Sequence, residues 1–333
     1  MKQTALTRAS TIGPILDFLK CDGASIERVF RAAELPLRLT EKPDILIPLR
    51  DQFRLIECAA RELGDDALPA RLAVAAGITG LGAYGREFVA ANSLGDAINR
   101  GNSIYTSTLQ SATCMTLTVR DEMAHWTYQV LEPIYVGRQK NEILAIGYMI
   151  QLLRRFAGPD WTPVRTQLPG SGLLGRAAVE ALFRCEISHG DVVSVTFPAD
   201  LLECRGPIQS RPEVPGLHST LPSEDDLAGC VQELIRLSLI DGAPQRSRIA
   251  RRLDMSVRTL QRRLQESGTN FAELLRLSKE RLAVDMLDTR GQSVLEIAYE
   301  LGYSDPAHFT RAFTNWYGEA PRSWRRKRSA KAQ

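Results

Sequence analysis

The sequence predicts an α+β N-terminal domain followed by an all-α C-terminal domain that contains two helix-turn-helix units. Three observations support this fold class. A proline-rich stretch without apolar periodicity follows residue 205. One antiparallel hairpin lies among helices in front of it, and a helix-turn-helix pattern occurs twice behind it. We therefore place the N-terminal domain at 1–205, a linker at 206–222 and the C-terminal domain at 223–328.

The N-terminal domain mixes helical and strand signals. Apolar residues at helical spacing predict helices at 11–23, 25–35, 49–64, 94–108, 138–158 and 173–183. Alternating apolar residues on both sides of a tight turn near Asp121 and Glu122 predict a β-hairpin over 112–131. Further strands are predicted within 161–168 and 191–202. The glycine-rich segment 77–85 is predicted as a turn between helices.

The C-terminal domain repeats itself. Residues 249–268, IARRLDMSVRTLQRRLQESG, resemble residues 297–318, IAYELGYSDPAHFTRAFTNWYG. Each copy has the pattern of a helix, a tight turn and a second helix. Ser256 and Asp305 are expected to cap the second helices, because both side chains accept a hydrogen bond from a free backbone N–H. A long helix within 269–291 joins the copies.

The second helix of each copy has one apolar face and one polar face. Leu260 and Leu264 in the first copy, and Phe309 and Phe313 in the second, are expected to be buried. Arginine and glutamine on the other face suit guanine and adenine edges, and small or methyl-bearing side chains suit thymine. The candidate DNA-binding residues are therefore Arg258, Gln261, Arg262, Ala307, Thr310 and Arg311. A solvated basic face is the plainer interpretation of the arginines alone, but their duplication in two capped helices favours DNA.

Charge is distributed unevenly along the chain. From Pro244 to the end there are 18 Lys and Arg against 10 Asp and Glu, whereas the first 243 residues hold 24 and 29. A basic C-terminal third on a mildly acidic body predicts a polyanionic partner for that third. The tail RRKRSAKAQ is predicted to be a frayed basic end that adds attraction to phosphates.

The C-terminal pattern resembles the AraC/XylS family of bacterial transcription regulators over roughly residues 223 to 327. The resemblance rests on the two spaced helix-turn-helix units, the signature IA…LGYSD…F…AF…G…P…R and the closing GEAPRSWRR. It implies binding of double-stranded DNA by both second helices and contact with RNA polymerase. Lys279 stands where the family usually has arginine, and Leu274 where an aromatic residue is common, but neither change removes a base-reading position.

The N-terminal domain is similar, by helix order and by the segment GPDWTPVRTQL, to the regulatory domain of ornithine-utilisation and related regulators of that family. An arabinose-type β-barrel is disfavoured, because the domain has too many helical segments. The resemblance implies effector sensing or dimerisation. We therefore expect a transcriptional regulator, an activator controlled by a small-molecule effector and acting as a homodimer.

Aromatic residues of the N-terminal domain are candidates for the effector site. Trp126 and Tyr128 lie on one face of a strand, because side chains two residues apart point the same way. The helix from 138 brings further apolar residues near them. The candidate effector-binding residues are Tyr105, Trp126, Tyr128, Arg138 and Tyr148, with Tyr135 as a further pocket candidate. Core packing is the plainer explanation of any one of these aromatics, and a surface role that of Arg138.

Composition and motifs argue against several other classes of protein. No signal peptide or membrane-spanning run is present. The six cysteines and four histidines match no zinc spacing, and no phosphate-binding loop, dinucleotide fingerprint or nucleophile elbow occurs. We expect no cofactor, no metal, no membrane association, no enzymatic activity, and a location in the bacterial cytoplasm, at the nucleoid when DNA is bound. Two alternatives stay open: an N-terminal domain that only dimerises, and an enzyme domain fused to a DNA-binding module.

Overall fold

The computed structural model describes residues 4–170, 172–206, 220–223, 225–242, 244–288 and 292–331. The chain divides into two compact units, Met1–Glu224 (unit 1) and Asp225–Gln333 (unit 2). Most of the linker predicted at 206–222 lies outside the described residues. The same holds for 289–291 at the end of the joining segment and for 332–333 in the basic tail.

Unit 1 combines short strands with helices of seven to twenty residues. Its described strands are β1 (Leu6–Arg8), β2 (Leu46–Pro48), β3 (Thr113–Arg120), β4 (Met123–Val130), β5 (Arg165–Leu168), β6 (Ile187–His189) and β7 (Val193–Pro198). Its described α-helices are α1 (Gly13–Cys21), α2 (Ile26–Ala32), α3 (Leu49–Leu63), α4 (Leu68–Ala76), α5 (Gly82–Val89), α6 (Leu94–Thr108), α7 (Arg138–Ala157) and α8 (Arg176–Phe183).

Five of these strands form one mixed sheet in the order β3-β4-β7-β5-β6. Strands β3 and β4 pair antiparallel from Thr113 opposite Val130 to Arg120 opposite Met123. Asp121 and Glu122 have φ angles of 49° and 63° and close a two-residue turn between them. The predicted hairpin and its turn are therefore confirmed. Strand β6 pairs in parallel with β5, and β1 and β2 form a separate two-stranded sheet.

Helix α7 supplies much of the buried core of unit 1. Ile146, Ile150 and Leu153 are fully buried, and the helix packs against α3, α4 and β7. Gly147 allows the close approach of α4, because a Cβ there would lie 2.4 Å from the Cβ of Ala73. Packing on several sides explains why both faces of this helix carry buried residues.

Parts of unit 1 differ from the sequence prediction. The segment 77–85, predicted as a turn, contains the 3-10 helix Ile78–Leu81 and the start of α5. Gly85 packs so tightly on the carbonyl of Ile78 that a Cβ there would lie 2.0 Å from that oxygen, so the 3-10 helix and α5 pack closely against each other within this segment. The strand predicted within 161–168 begins only at Arg165, after a proline that cannot donate to a ladder.

Every described secondary-structure element of unit 2 is a helix. Its helices are α9 (Leu227–Leu239), α10 (Arg246–Arg252), α11 (Val257–Glu266), α12 (Phe271–Asp288), α13 (Val294–Glu300), α14 (Pro306–Tyr317) and α15 (Pro321–Lys331). Together with the mixed unit 1, this confirms the predicted fold class. Helix α9 was not among the predicted elements, and it packs against α10, α11 and α12.

The basic tail is more ordered than predicted. Helix α15 continues through Lys331, so the described part of RRKRSAKAQ is helical rather than frayed. Arg325 Nε donates to the carbonyl of Leu287 at 3.1 Å, and Arg328 Nε lies 3.3 Å from Asp288 Oδ1. These contacts with the end of α12 give the tail a fixed partner that its charge pattern did not indicate.

Candidate nucleic-acid interface and ligand pocket

Helix α11 is the second helix of the first helix-turn-helix unit. Its N-cap is Ser256, whose hydroxyl accepts the backbone N–H of Thr259 at 3.0 Å, as predicted. Leu260 and Leu264 are fully buried, which fixes the orientation of the helix about its axis. The opposite face is exposed to solvent, and the candidates on it are Arg258, Gln261 and Arg262. Arg262 Nη1 lies 3.7 Å from Glu266 Oε1, an exposed pair weak enough for a phosphate or a base to replace.

Helix α14 is the equivalent helix of the second unit. Asp305 accepts the backbone N–H of Ala307 at 2.8 Å, and Pro306 occupies the first turn. Phe309 and Phe313 are fully buried, with ring centroids 5.8 Å apart. The predicted cap and core are both confirmed.

The outward face of α14 presents a mixed set of side chains. Ala307 and Arg311 are exposed, as are the neighbouring His308 and Asn315, which were not among the candidates. Thr310 is only half-buried, and its hydroxyl donates to the carbonyl of Pro306 at 3.0 Å. The hydroxyl proton of Thr310 is therefore already used within the helix, which favours contact through its methyl group.

Helix α12 contacts the turn before α14 in the second helix-turn-helix copy. Lys279 Nζ of α12 lies 4.2 Å from the ring centroid of Tyr303, a cation–π contact. The Ser293 hydroxyl and the Glu296 carboxylate form a reciprocal capping box at the start of α13. Trp316 and Trp324 pack partly buried against the Phe313 cluster, in agreement with their predicted packing role.

Unit 1 contains an aromatic cavity. The space that the centre of a water molecule can occupy in it is about 50 Å³, and the volume rises to about 530 Å³ only when the open solvent at its mouth is counted. Four of the five candidate effector residues line it together with Tyr84 and Phe88; those four are Tyr105, Trp126, Tyr128 and Tyr148. The rings of Tyr84 and Tyr105 meet edge to face at 5.3 Å, and those of Tyr105 and Tyr128 at 6.2 Å.

The fifth candidate, Arg138, is not among the residues that line the cavity. Its guanidinium donates to the carbonyls of Val130 and Glu132 at 2.9 and 3.1 Å and to the Glu142 carboxylate at 2.9 Å. These bonds join the end of β4 to the start of α7, which gives Arg138 a structural role beside the cavity. Tyr135 is 86% exposed and lies outside the cavity lining as well.

Polar side chains from separate elements enter the cavity, and the sequence analysis did not identify them. Gln110 Nε2 and Asn141 Nδ2 donate to the Tyr128 hydroxyl at 3.0 and 2.9 Å. Gln52 of α3 is 5% exposed, and its Oε1 is buried without a hydrogen-bond partner. No local sequence motif marks these amides, because only the tertiary fold brings them together.

The phenols around the cavity are protonated at physiological pH, since burial only raises pKa values that ordinarily lie near 10. Desolvation raises the pKa of Tyr84, Tyr105, Tyr128 and Tyr148 above the ordinary value of tyrosine. At Tyr128, hydrogen bonds from Gln110 and Asn141 oppose part of this increase in pKa. The cavity therefore presents neutral hydroxyl groups at physiological pH.

Within the described residues, no group of three or more His, Cys, Asp or Glu side chains is arranged to hold a metal ion. No described helix is both long and apolar enough to cross a membrane.

Comparison with known proteins identifies both halves of the chain. A family model described as the arabinose-binding domain of AraC transcription regulator, N-term, matches residues 23–205, and a helix-turn-helix domain model matches residues 249–327. The HTH-type transcriptional regulator VirS of Mycobacterium tuberculosis is 26% identical over 335 residues, which cover 98% of each chain. The ornithine utilization regulator of Pseudomonas aeruginosa is 35% identical over 109 residues, 33% of this chain and 32% of its own.

A solved structure of similar length also aligns with the chain. The transcriptional regulator CdpR from Pseudomonas aeruginosa covers 94% of this chain and 96% of its own, with 18% identity and a TM-score of 0.42. The N-terminal family model alone spans more than half of the chain. The chain therefore belongs to the AraC-type transcription regulators, as a DNA-binding helix-turn-helix protein with the N-terminal ligand-binding domain of that family.

Proposed function

We propose that this chain is a sequence-specific transcriptional activator whose activity is controlled by a small organic effector bound in the aromatic cavity of unit 1. One observation carries the proposal. A cavity with a buried, unpartnered amide oxygen occurs in the same chain as two capped helices that expose arginine and glutamine side chains suited to base edges. The proposal assigns effector sensing and dimerisation to 1–205 and DNA reading to 223–328.

The two exposed helix faces support the DNA-reading part of the proposal. In α11, Arg258 and Arg262 would pair with guanine edges and Gln261 with adenine, because their side chains offer the bidentate donors and acceptors that these bases match. In α14, Arg311 would take a guanine, while Ala307 and Thr310 would contact thymine methyl groups. Two helices that enter successive major grooves read a site that extends over more than one turn of DNA.

Effector control requires a difference in affinity. A ligand shifts transcription only if it binds the DNA-competent arrangement of the protein with a different affinity from the incompetent one. We propose that unit 1 forms a homodimer, that the bound dimer contacts RNA polymerase, and that this occurs at the bacterial nucleoid, in the cytoplasm. The resemblance of the chain to this family supports the proposed RNA polymerase contact.

The alternatives make different demands on unit 1. A domain that only dimerises has no need of an unpartnered amide inside an aromatic cavity. A fused enzyme that used a reactive cysteine would need a thiolate, but burial raises the pKa of Cys58, which disfavours its nucleophilic form. Cys114 is exposed on β3. Retained DNA binding and transcriptional response in Cys58→Ser and Cys114→Ser variants would remove the remaining basis of the enzyme alternative.

The proposal is tested by reconstituted transcription. The full chain first selects an operator from random duplex DNA, and the operator is placed at a promoter read by bacterial RNA polymerase. We expect a fraction of a small-molecule cell extract to raise transcript yield. Met115 lines the cavity, so Met115→Trp should fill it and abolish the response. Thr118→Trp, on an exposed position of the same strand, should preserve the response.

Each outcome separates two hypotheses. An equal response of the Met115→Trp and Thr118→Trp variants would place the effector outside this cavity. If operator binding and transcript yield stay the same with every extract fraction, the result would favour an N-terminal domain that only dimerises. Failure to enrich any operator would contradict sequence-specific binding itself.

A further inference from the structure

We infer that the cavity of unit 1 takes an uncharged aromatic molecule that carries a hydrogen-bond donor, and that Gln52 Oε1 accepts this donor. The inference deepens the proposed function, on which it rests in taking the ligand to be the effector. Three independent properties of the cavity lead to this inference: its described lining carries no charge, its rings are arranged edge to face, and the amide oxygen of Gln52 has no hydrogen-bond partner.

The described lining of the cavity carries no formal charge. All 16 of its residues are apolar, aromatic, hydroxyl-bearing or amide-bearing, and the tyrosines are held neutral by burial. The neighbouring charges of Arg138 and Glu142 are paired with each other at 2.9 Å, outside the lining. An amino acid, an organic anion or an organic cation would lose its hydration here without gaining a counter-charge.

The walls are shaped for a flat apolar body. The rings of Tyr84, Tyr105 and Tyr128 follow one another edge to face, while Ile78 and Leu144 supply aliphatic surface. Aromatic rings gain additional stabilisation from edge-to-face and offset contacts. A sugar, with hydroxyl groups on both faces, would leave most of its hydrogen bonds unmade against such walls.

Gln52 supplies the polar anchor. The other cavity amides already have partners: Gln110 Nε2 binds Thr113 Oγ1 at 2.7 Å and the Tyr128 hydroxyl, and Asn141 Nδ2 binds the same hydroxyl. Gln52 Oε1 is buried with no partner, although buried polar atoms are nearly always satisfied. A ligand N–H or O–H at this atom would satisfy it and fix the orientation of the ring.

Four probes of one shape test the inference by calorimetric titration of the full chain. Indole is neutral and has one N–H donor; benzofuran has the same shape without a donor; tryptamine and indole-3-acetate add a positive and a negative charge. We expect indole to bind, and benzofuran to bind about tenfold more weakly, because one hydrogen bond to a buried acceptor is lost. The two charged probes should be weaker than indole by at least about tenfold.

A pair of glutamine variants identifies the anchor. Gln52→Met should bring indole and benzofuran to equal affinity, whereas Gln129→Met, the same change at an exposed position of β4, should preserve their difference. Retained benzofuran binding shows that the Gln52→Met variant is folded. The inference is overturned if indole does not bind near its solubility limit, if a charged probe binds as tightly as indole, or if Gln52→Met keeps the preference for the donor.

These results can be told apart from failure of the proposed function. If the probes bind as expected but no cavity ligand changes transcription from the selected operator, the inferred ligand class is supported and control of transcription by the cavity ligand is contradicted. If an extract fraction activates transcription through the Met115-lined cavity while indole does not bind, effector control stands and the ligand class fails.

Discussion

Asn141 Nδ2 of helix α7 donates a hydrogen bond of 2.9 Å to the Tyr128 hydroxyl of strand β4. Gln110, in the loop before β3, donates to the same oxygen at 3.0 Å. Three separate elements therefore meet at one buried atom, and this oxygen ties the hairpin to the central helix beside the cavity. Trp126 lies two residues away on the same strand face.

Replacement of Tyr128 by phenylalanine should destabilise unit 1. The change removes the shared acceptor and leaves two buried amide donors without it, which should lower the free energy of unfolding by about 1–3 kcal/mol. Urea denaturation monitored by circular dichroism measures the effect. Tyr135→Phe is the matched control, because Tyr135 is 86% exposed and should change stability by less than about 0.5 kcal/mol. Equal stability of the two variants would show that the junction contributes nothing.

Gly137 should tolerate no side chain. Its φ is +74°, and a Cβ there would lie 1.9 Å from the backbone oxygen of Phe53. We expect Gly137→Ala to destabilise the chain by about 4 kcal/mol or more, because a rigid backbone must move. Gly64→Ala shares the positive φ, at +64°, but has open space around its Cβ and should lose only about 1–2 kcal/mol. Similar denaturation midpoints for the two variants would argue against the steric explanation.

Arg262 and Arg311 should contribute to sequence recognition rather than to general attraction. Replacing either by alanine should weaken binding to the selected operator by about 1–3 kcal/mol and binding to random duplex DNA much less. Fluorescence anisotropy at fixed salt measures both affinities. Arg281→Ala, at an exposed position of α12, is the control and should not lower the preference for the operator. Equal losses on operator and random DNA would indicate phosphate contacts only.

Alkaline pH should destabilise unit 1 before it ionises the cavity tyrosines of the native state. The pKa of Tyr84, Tyr105, Tyr128 and Tyr148 is raised by burial, whereas in the unfolded chain it is about 10. Above about pH 10 the unfolded chain therefore loses phenol protons that the native state retains. The free energy of unfolding is unaffected by these groups below about pH 10, and it falls as the pH rises toward the native-state pKa values of the four tyrosines.

The measurement combines phenolate absorbance with circular dichroism across the alkaline range. We expect a late group of tyrosines to ionise together with loss of helical signal. Ionisation of all eight tyrosines near pH 10 in a chain that remains folded would contradict burial of these phenols.

The chain order of local elements could be predicted from sequence where the signal lies within a short segment. The caps at Ser256 and Asp305, the turn at Asp121 and Glu122, and the buried pairs of α11 and α14 depend on residues only a few positions apart. The doubled helix-turn-helix pattern was predictable for the same reason. Strand β1 was not, because its three residues are held by a partner strand some forty residues later in the chain.

The candidate site shows the same division. Periodicity alone predicted which faces of α11 and α14 would be exposed, because burial of one face fixes the other. The cavity of unit 1 depended on tertiary structure: helix packing brings Gln52, Gln110 and Asn141 from three separate segments to one aromatic wall. The hydrogen-bond partners of Arg138 could not be predicted, because the carbonyls of Val130 and Glu132 come within its reach only when β4 ends beside α7. Sequence thus determined the elements that carry a local signal and the exposed faces of α11 and α14, while the fold decided which polar atoms share a cavity, since hydrogen-bond partners distant in sequence leave no periodic signal.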